Sequence, residues 1–164
     1  LKVIQDTSHG IDAKYKKKHL INFGDICTYS MHPLKNLNVW GDGGFIVTNN
    51  EKLAKKISLL RNHGLTNRNE CEFFGYNSRL DTIQAAIANY KMKNKLNNIT
   101  KKRIKNSKLF HKFLKDIPEI DLLKREKYLV EVFHLYHVNV KKNRNGLMNY
   151  LLPFLFLRSL RIKL

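Results

Sequence analysis

The sequence predicts an α/β domain with mostly parallel strands. Two observations carry this. Short apolar stretches bounded by turn residues read as strands at positions 1–6, 24–31 and 44–48. After them, apolar residues recur at steps of three and four, the spacing of helices with one buried face. Strands and helices alternating along one chain favour helices packed on a sheet.

In chain order, residues 1–6 read as a buried strand and 24–31 as a second. The third, 44–48, lies between the turn signals Gly41-Asp42-Gly43 and Asn49-Asn50. Asn50 is placed to cap a helix in which Leu53, Ile57 and Leu60 repeat, with Gly64 at the C-terminal cap position. Ser78-Arg79-Leu80-Asp81 matches a capping box opening the next helix. Leu80, Ile83, Ile87 and Tyr90 form one face of that helix. The pattern continues through Leu96, Ile99, Ile104, Leu109 and Phe113, and Pro118 ends it. Alternation from Tyr128 to Val140 predicts a strand, and 144–152 opens a further helix. The break near Pro118 suggests a second, smaller unit, and there is no internal repeat.

A chain of 164 residues suffices for one ordinary domain. It begins at Leu1 inside a strand, from which we expect a preceding part of a longer protein. No run of 18 or more apolar residues is present, which argues against a transmembrane helix. Cys27 and Cys71 lack metal-ligand spacing and read as two free thiols of a cytoplasmic protein, with no metal site. The 31 Lys and Arg residues against 13 Asp and Glu give a net charge of +18. Such a chain can bind phosphates of nucleic acid or small anions. The basic residues are scattered rather than gathered into one stripe, Lys14–Lys18 and Lys101–Lys105 being the densest clusters, which disfavours a nucleic-acid function.

Chemistry gathers around Ser30 and Lys35. A strand ends in a hydroxyl residue, a lysine follows five positions later, and Gly41-Asp42-Gly43-Gly44 permits close backbone approach. Ligands of open α/β sheets sit beyond the carboxyl ends of the strands, where Ser30, Lys35 and Asp6 all fall. These residue types fit pyridoxal phosphate (PLP): a lysine amine to hold it, an aspartate to keep its ring nitrogen protonated, a hydroxyl for its phosphate. By spacing alone, Lys35 also reads as a solvated lysine and Asp6 as a turn residue.

Four ordered segments add a resemblance. Ser30-Met31-His32-Pro33-Leu34-Lys35-Asn36-Leu37 with Gly41-Asp42-Gly43-Gly44 and Val47-Thr48-Asn49 resembles the cofactor-lysine segment of the DegT/DnrJ/StrS aminotransferases. Val3-Ile4-Gln5-Asp6-Thr7-Ser8-His9-Gly10, Leu59-Leu60-Arg61-Asn62-His63-Gly64 and the run from Gly75 to Ala86 resemble three more of its signatures. The resemblance covers about residues 1–150 and implies part of a fold type I PLP-dependent transferase. It implies the C-terminal part of the large PLP-binding domain at 1–90, a connecting helix at 91–115 and a partial small domain at 116–150.

The same resemblance implies site roles. Lys35 is the Schiff-base lysine and proton shuttle, Asp6 pairs with the pyridinium nitrogen, His9 lies near the ring, and Ser30 binds the phosphate. Asn77 reaches the phosphate of the neighbouring subunit's site, so a homodimer shares its active sites. Arg79 and His32 are substrate-side candidates. Asp42 stands where the family commonly has Glu. The implied reaction moves an amino group from glutamate to a keto sugar, usually nucleotide-linked, for surface polysaccharide or lipopolysaccharide synthesis. Alternatives are a keto-Kdo type acceptor, an inactive fragment, or a basic nucleic-acid-binding module. Relatives that act as dehydratases carry histidine at the lysine position, and Lys35 argues against that activity.

The stretch 151–164 holds six leucines and two phenylalanines, no acidic residue and no clear period. A shifted reading frame accounts for such a tail. Translating the other frames of the underlying DNA should then restore an ordinary domain ending; if no frame does, the explanation fails.

Overall fold

A computed structural model describes residues 1–155 of the chain. Three strands form the sheet that matters for the site, in the order β1 (Ile4–Asp6), β4 (Ile26–Ser30), β5 (Gly44–Val47). β1 and β4 are parallel, with Asp6 opposite Thr28. β5 runs antiparallel to β4, with Ser30 opposite Gly44. Residues 31–43 contain no helix, and Met31 N–H donates to the Gly43 carbonyl at 2.7 Å. A loop closed in that way returns the chain antiparallel, because a parallel return needs a crossover. The α/β class stands, but the expected predominance of parallel strands does not: among the described strands only β1 and β4 pair in parallel. The first strand, expected buried, leaves Ile4 68% exposed.

The core lies beneath the 31–43 loop. Met31, Leu37 and Val39 of that loop are buried against Ala88 and Leu96, flanked by Ile11, Phe45, Leu80 and Ile87. α1 (Glu51–Leu60) starts where expected, with Asn50 Oδ1 accepting from Leu53 N–H at 3.1 Å. The capping-box reading is corrected. α2 (Thr82–Asn94) has Asp81 at its N-cap without a side-chain cap, and Ser78 instead donates its N–H to Arg61 O at 2.9 Å. That bond serves the preceding loop and puts Ser78 too early to cap. The expected apolar face also splits: Leu80 and Ile87 pack against the core, whereas Ile83 and Tyr90 are 63% and 57% exposed.

The long helix breaks at Lys95 (φ −125°, ψ −33°), and α3 (Leu96–Leu114) follows. It ends before Pro118. The expected 128–140 strand is interrupted. Only β7 (Leu129–Val130) and β8 (Val138–Val140) form. Between them Phe133 takes φ 47°, and the carbonyls of Val132, Phe133 and His134 accept from Asn36 and Arg103 side chains. Carbonyls so engaged are not available to a ladder. β8 pairs instead with β6 (Ile120–Leu122), which the sequence reading missed.

The basic cluster 14–18 is a hairpin of β2 (Lys14–Tyr15) and β3 (Lys18–His19). Lys16 and Lys17 both have positive φ, as a two-residue turn of primed type requires. β7 adds to β2, so residues 129–130 lie beside the loop after β1. α4 (Arg144–Leu155) runs further than the 144–152 expected and carries the first residues of the unusual tail into a helix. The remainder of that tail, 156–164, lies outside the described residues.

The loop after α1 folds onto the approach to α2. Gly64, at φ +72°, donates its N–H to Leu59 O at 2.8 Å, and His63 N–H donates to Tyr76 O at 2.9 Å. A Cβ at Gly64 would collide with the carbonyl of Phe73. Both backbone handedness and space therefore demand glycine here. Gly64→Ala should lower unfolding free energy by at least about 2 kcal/mol, read from urea denaturation; a loss under about 0.5 kcal/mol would refute the close packing of the two loops.

Candidate functional site

Parallel pairing of β1 and β4 brings their carboxyl ends to one edge of the sheet. Asp6 ends β1, His9 follows in the next turn, Ser30 ends β4, and Lys35 stands in the loop beyond. Those four expected site residues therefore share one end of the sheet. Asp6 and His9 are exposed, and Ser30 and Lys35 are half-buried.

The Asp6 carboxylate is held below the ordinary aspartate range. The Ser8 hydroxyl does most, donating to Oδ1 at 2.5 Å, and the Ser8 N–H donates to the same oxygen at 2.9 Å. Positive charge on His9 and Lys35 acts in the same direction. Both Ser8 bonds fall on Oδ1, so Oδ2 remains the oxygen for a further cationic partner. A carboxylate held anionic to lower pH than usual, within electrostatic reach of a lysine, is the donor set that a protonated pyridine nitrogen and an amine-bound aldehyde need. The residues present fit PLP.

The 31–43 loop fixes the Lys35 backbone. Lys35 N–H donates to His32 O at 2.8 Å, and the Asn38 amide donates to Lys35 O at 3.0 Å. His32 is exposed on the same loop, its Nδ1 accepting from Leu34 N–H at 3.2 Å. This gives His32 a turn-stabilising position. The Ser30 hydroxyl oxygen accepts from His32 N–H at 3.3 Å and keeps its own proton to donate. Trp40 and Gln84 lock the far end of the loop to α2: Trp40 N–H donates to Gln84 Oε1 at 2.8 Å, and Gln84 Nε2 donates to Trp40 O at 3.1 Å.

Asn77 and Arg79 are exposed on the loop before α2, and Arg79 Nε donates to Asn77 Oδ1 at 3.1 Å. Among the described residues no hydrogen bond or ion pair links them to Asp6, Ser30 or Lys35. Around them Trp40, Phe74, Tyr76, Ile83 and Tyr90 stand more than half exposed, an apolar display rather than a packed wall.

Sequence reasoning missed three residues beside the site. Asn36, 3% exposed, follows Lys35 and donates to Val132 O at 3.0 Å. His134 faces Asn36 Oδ1 at 3.3 Å and lies against the His9 ring with centroids 4.2 Å apart. Arg103 reaches the same segment from α3. Asn36 lies 96 and 98 positions from its partners and Arg103 lies 30 and 31 from its own, distances no local pattern spans. The described residues hold no helix long and apolar enough to cross a membrane, and Cys27 and Cys71 are both free thiols.

The model of the DegT/DnrJ/EryC1/StrS aminotransferase family matches residues 1–156. The chain is 38% identical over 137 residues to a pleiotropic regulatory protein of Geobacillus stearothermophilus, covering 84% of this chain and 36% of that protein. It is 44% identical over 87 residues to a UDP-N-acetyl-3-dehydro-alpha-D-glucosamine 3-aminotransferase of Acidithiobacillus ferrooxidans, covering 53% and 24%. It matches the crystal structure of NtdA from Bacillus subtilis with bound cofactor PMP at a TM-score of 0.77 and 33% identity, covering 92% of this chain and 35% of that one. The chain thus spans little more than a third, or less, of each.

Ser8→Ala should move the Asp6 titration midpoint up toward the ordinary aspartate value, followed by carboxyl NMR shifts. The sign for stability follows. A carboxyl depressed in the fold contributes above its unfolded pKa and loses that contribution as pH falls through the folded one. The variant should therefore already lack the Asp6 contribution at neutral pH and lose less stability than the parent chain on acidification. An unmoved midpoint would remove Ser8 as the cause.

Proposed function

We propose, on the premise that this chain belongs to the DegT/DnrJ/EryC1/StrS aminotransferase family, that it supplies the lysine-bearing part of a PLP-dependent enzyme that aminates a nucleotide-linked keto sugar. One observation carries this reading: Asp6, His9, Ser30 and Lys35 meet at one end of the sheet, with the Lys35 charge felt by Asp6. In the proposed division, 1–90 belongs to the large PLP-binding domain, 91–115 connects, and 116–150 belongs to the small domain. Glutamate is the proposed amino donor, surface polysaccharide or lipopolysaccharide synthesis the setting, and the cytoplasm the place.

PLP, when bound, supplies an electron-withdrawing ring that acidifies the amino-donor Cα–H. The chain's own residues supply the rest. Lys35 Nζ holds the cofactor and, once released, takes a proton from the donor and returns one to the acceptor. The Asp6 carboxylate, held anionic by Ser8, keeps a proton on the ring nitrogen. The Ser30 hydroxyl, with its proton free, would donate to a phosphate oxygen, and His9 would serve the ring side of the site. Among the described residues no hydrogen bond or ion pair joins Asn77 and Arg79 to these groups, which supports a role for them in the site of a second copy. The exposed Trp40, Phe74, Tyr76, Ile83 and Tyr90 support a homodimer that covers them.

The exposure of Asp6 and His9 favours a second reading of the chain in isolation, that it is inactive. Water reaches a site that transamination needs enclosed, and the chain spans 36% of one relative.

Incubating the chain with limiting PLP, reducing with borohydride and mapping the peptides should place the label chiefly on Lys35. Lys35→Ala should abolish that label, and Asp6→Asn should weaken it. Label spread evenly over the lysines would refute the assignment. In an enzyme completed by the rest of the family fold, Lys35→Ala should cost at least about 100-fold in transamination rate.

A further inference from the structure

We propose that Asn36 is a positioning residue: its buried amide ties the turn around Phe133 to the candidate site and so sets the stance of Lys35 and His9. The inference rests on the reading of Lys35 given above and deepens it, since it names the group that orients the lysine loop from a distant part of the chain.

The amide orientation is fixed by chemistry. A carbonyl only accepts, so the group bonded to Val132 O at 3.0 Å is Asn36 Nδ2. Asn36 Oδ1 therefore faces His134 Nδ1, 3.3 Å away, and can only accept from it. That puts the proton of a neutral His134 on Nδ1. Both polar ends of a side chain 3% exposed are thus used, and both partners come from residues 96 and 98 positions away. Loop stability by itself does not require such remote partners.

The turn is gripped from its other side as well. Arg103 Nη1 donates to Phe133 O at 3.0 Å and to His134 O at 3.3 Å. Phe133 between them holds φ 47°, a conformation that a bulky residue keeps only when its surroundings impose it. Val132, 4% exposed, anchors the start of the turn. The His134 ring then lies 4.2 Å from the His9 ring, inclined at 39°. His9 in turn contributes to the field on Asp6. A line of contacts thus runs from α3 through the turn to Asn36, His134, His9 and the carboxylate, with Lys35 joined covalently to Asn36. A shift of the turn moves the lysine and the imidazole together.

Histidine NMR titrations of the full chain test the contact directly. Asn36→Asp keeps the side-chain size but sets a carboxylate against His134 Nδ1. The His134 midpoint should rise by about one unit, and the His9 midpoint should fall as the neighbouring imidazolium forms first. Asn36→Ala should leave both rings with altered shifts and slow borohydride trapping of PLP at Lys35 by about tenfold. Adding His134→Ala to Asn36→Ala should slow it no further, because the two act as one unit. An unmoved His134 midpoint in folded Asn36→Asp would show that the two groups do not touch, and multiplying effects on trapping in the double variant would show that they act separately; either result overturns the proposal. Failure of the unsubstituted chain to label Lys35 would sink the functional reading alone, because the histidine midpoints still decide the role of Asn36.

Discussion

The loop that carries Lys35 leaves the sheet at Ser30 and rejoins it at Gly44, and without a helix of its own it needs an anchor. Leu37 and Val39, each 1% exposed, provide it by packing with Met31 against Ala88 and Leu96. Fully burying side chains of this size contributes about 1.5–3 kcal/mol each. The backbone bonds from Met31 to Gly43 and from Val39 to Met31, at 2.7 and 2.9 Å, close the loop over that contact. The lysine is thus held by a hydrophobic knot a few residues beyond it. The turn at His32–Lys35 and the Trp40–Gln84 pair are placed by the same knot.

The candidate site was legible in the sequence where it is local. Asp6, Ser30 and Lys35 sit at or just beyond strand ends that short apolar runs mark plainly, and the Asn50 cap follows from its own side chain. The direction of β5 was not legible, because it depends on whether residues 31–43 cross over or turn back. Nor was the interruption of the 128–140 strand. Val130, Val132 and His134 alternate as a strand should, but Asn36 and Arg103 take the carbonyls that a ladder would use. Ser78 shows the same limit from the other direction, since a pattern that fits a helix start is outbid by a backbone bond to Arg61. Tertiary partners overrode local preference in each case.

Charge is the feature least informative about chemistry. Most lysines have no acidic neighbour to pair with, since 13 carboxylates face 31 cations. The resulting field attracts any phosphate-bearing molecule and does not choose among them. Selection belongs to fixed geometry, such as the carboxylate of Asp6 held by Ser8. The densest basic stretches lie on unlike elements, the β2–β3 hairpin and α3, and do not form one stripe.

Among the described residues β1 and β5 each have a single strand neighbour, β4. Their outer rims present backbone donors and acceptors that a further strand can dock onto. Such rims template growth: they accept a complementing polypeptide, and equally a stray strand from another molecule. Like-charge repulsion at +18 opposes such docking between copies. Salt shortens the reach of that repulsion to about 8 Å at physiological strength. Association through these rims should therefore depend on ionic strength, rising as the charges are screened.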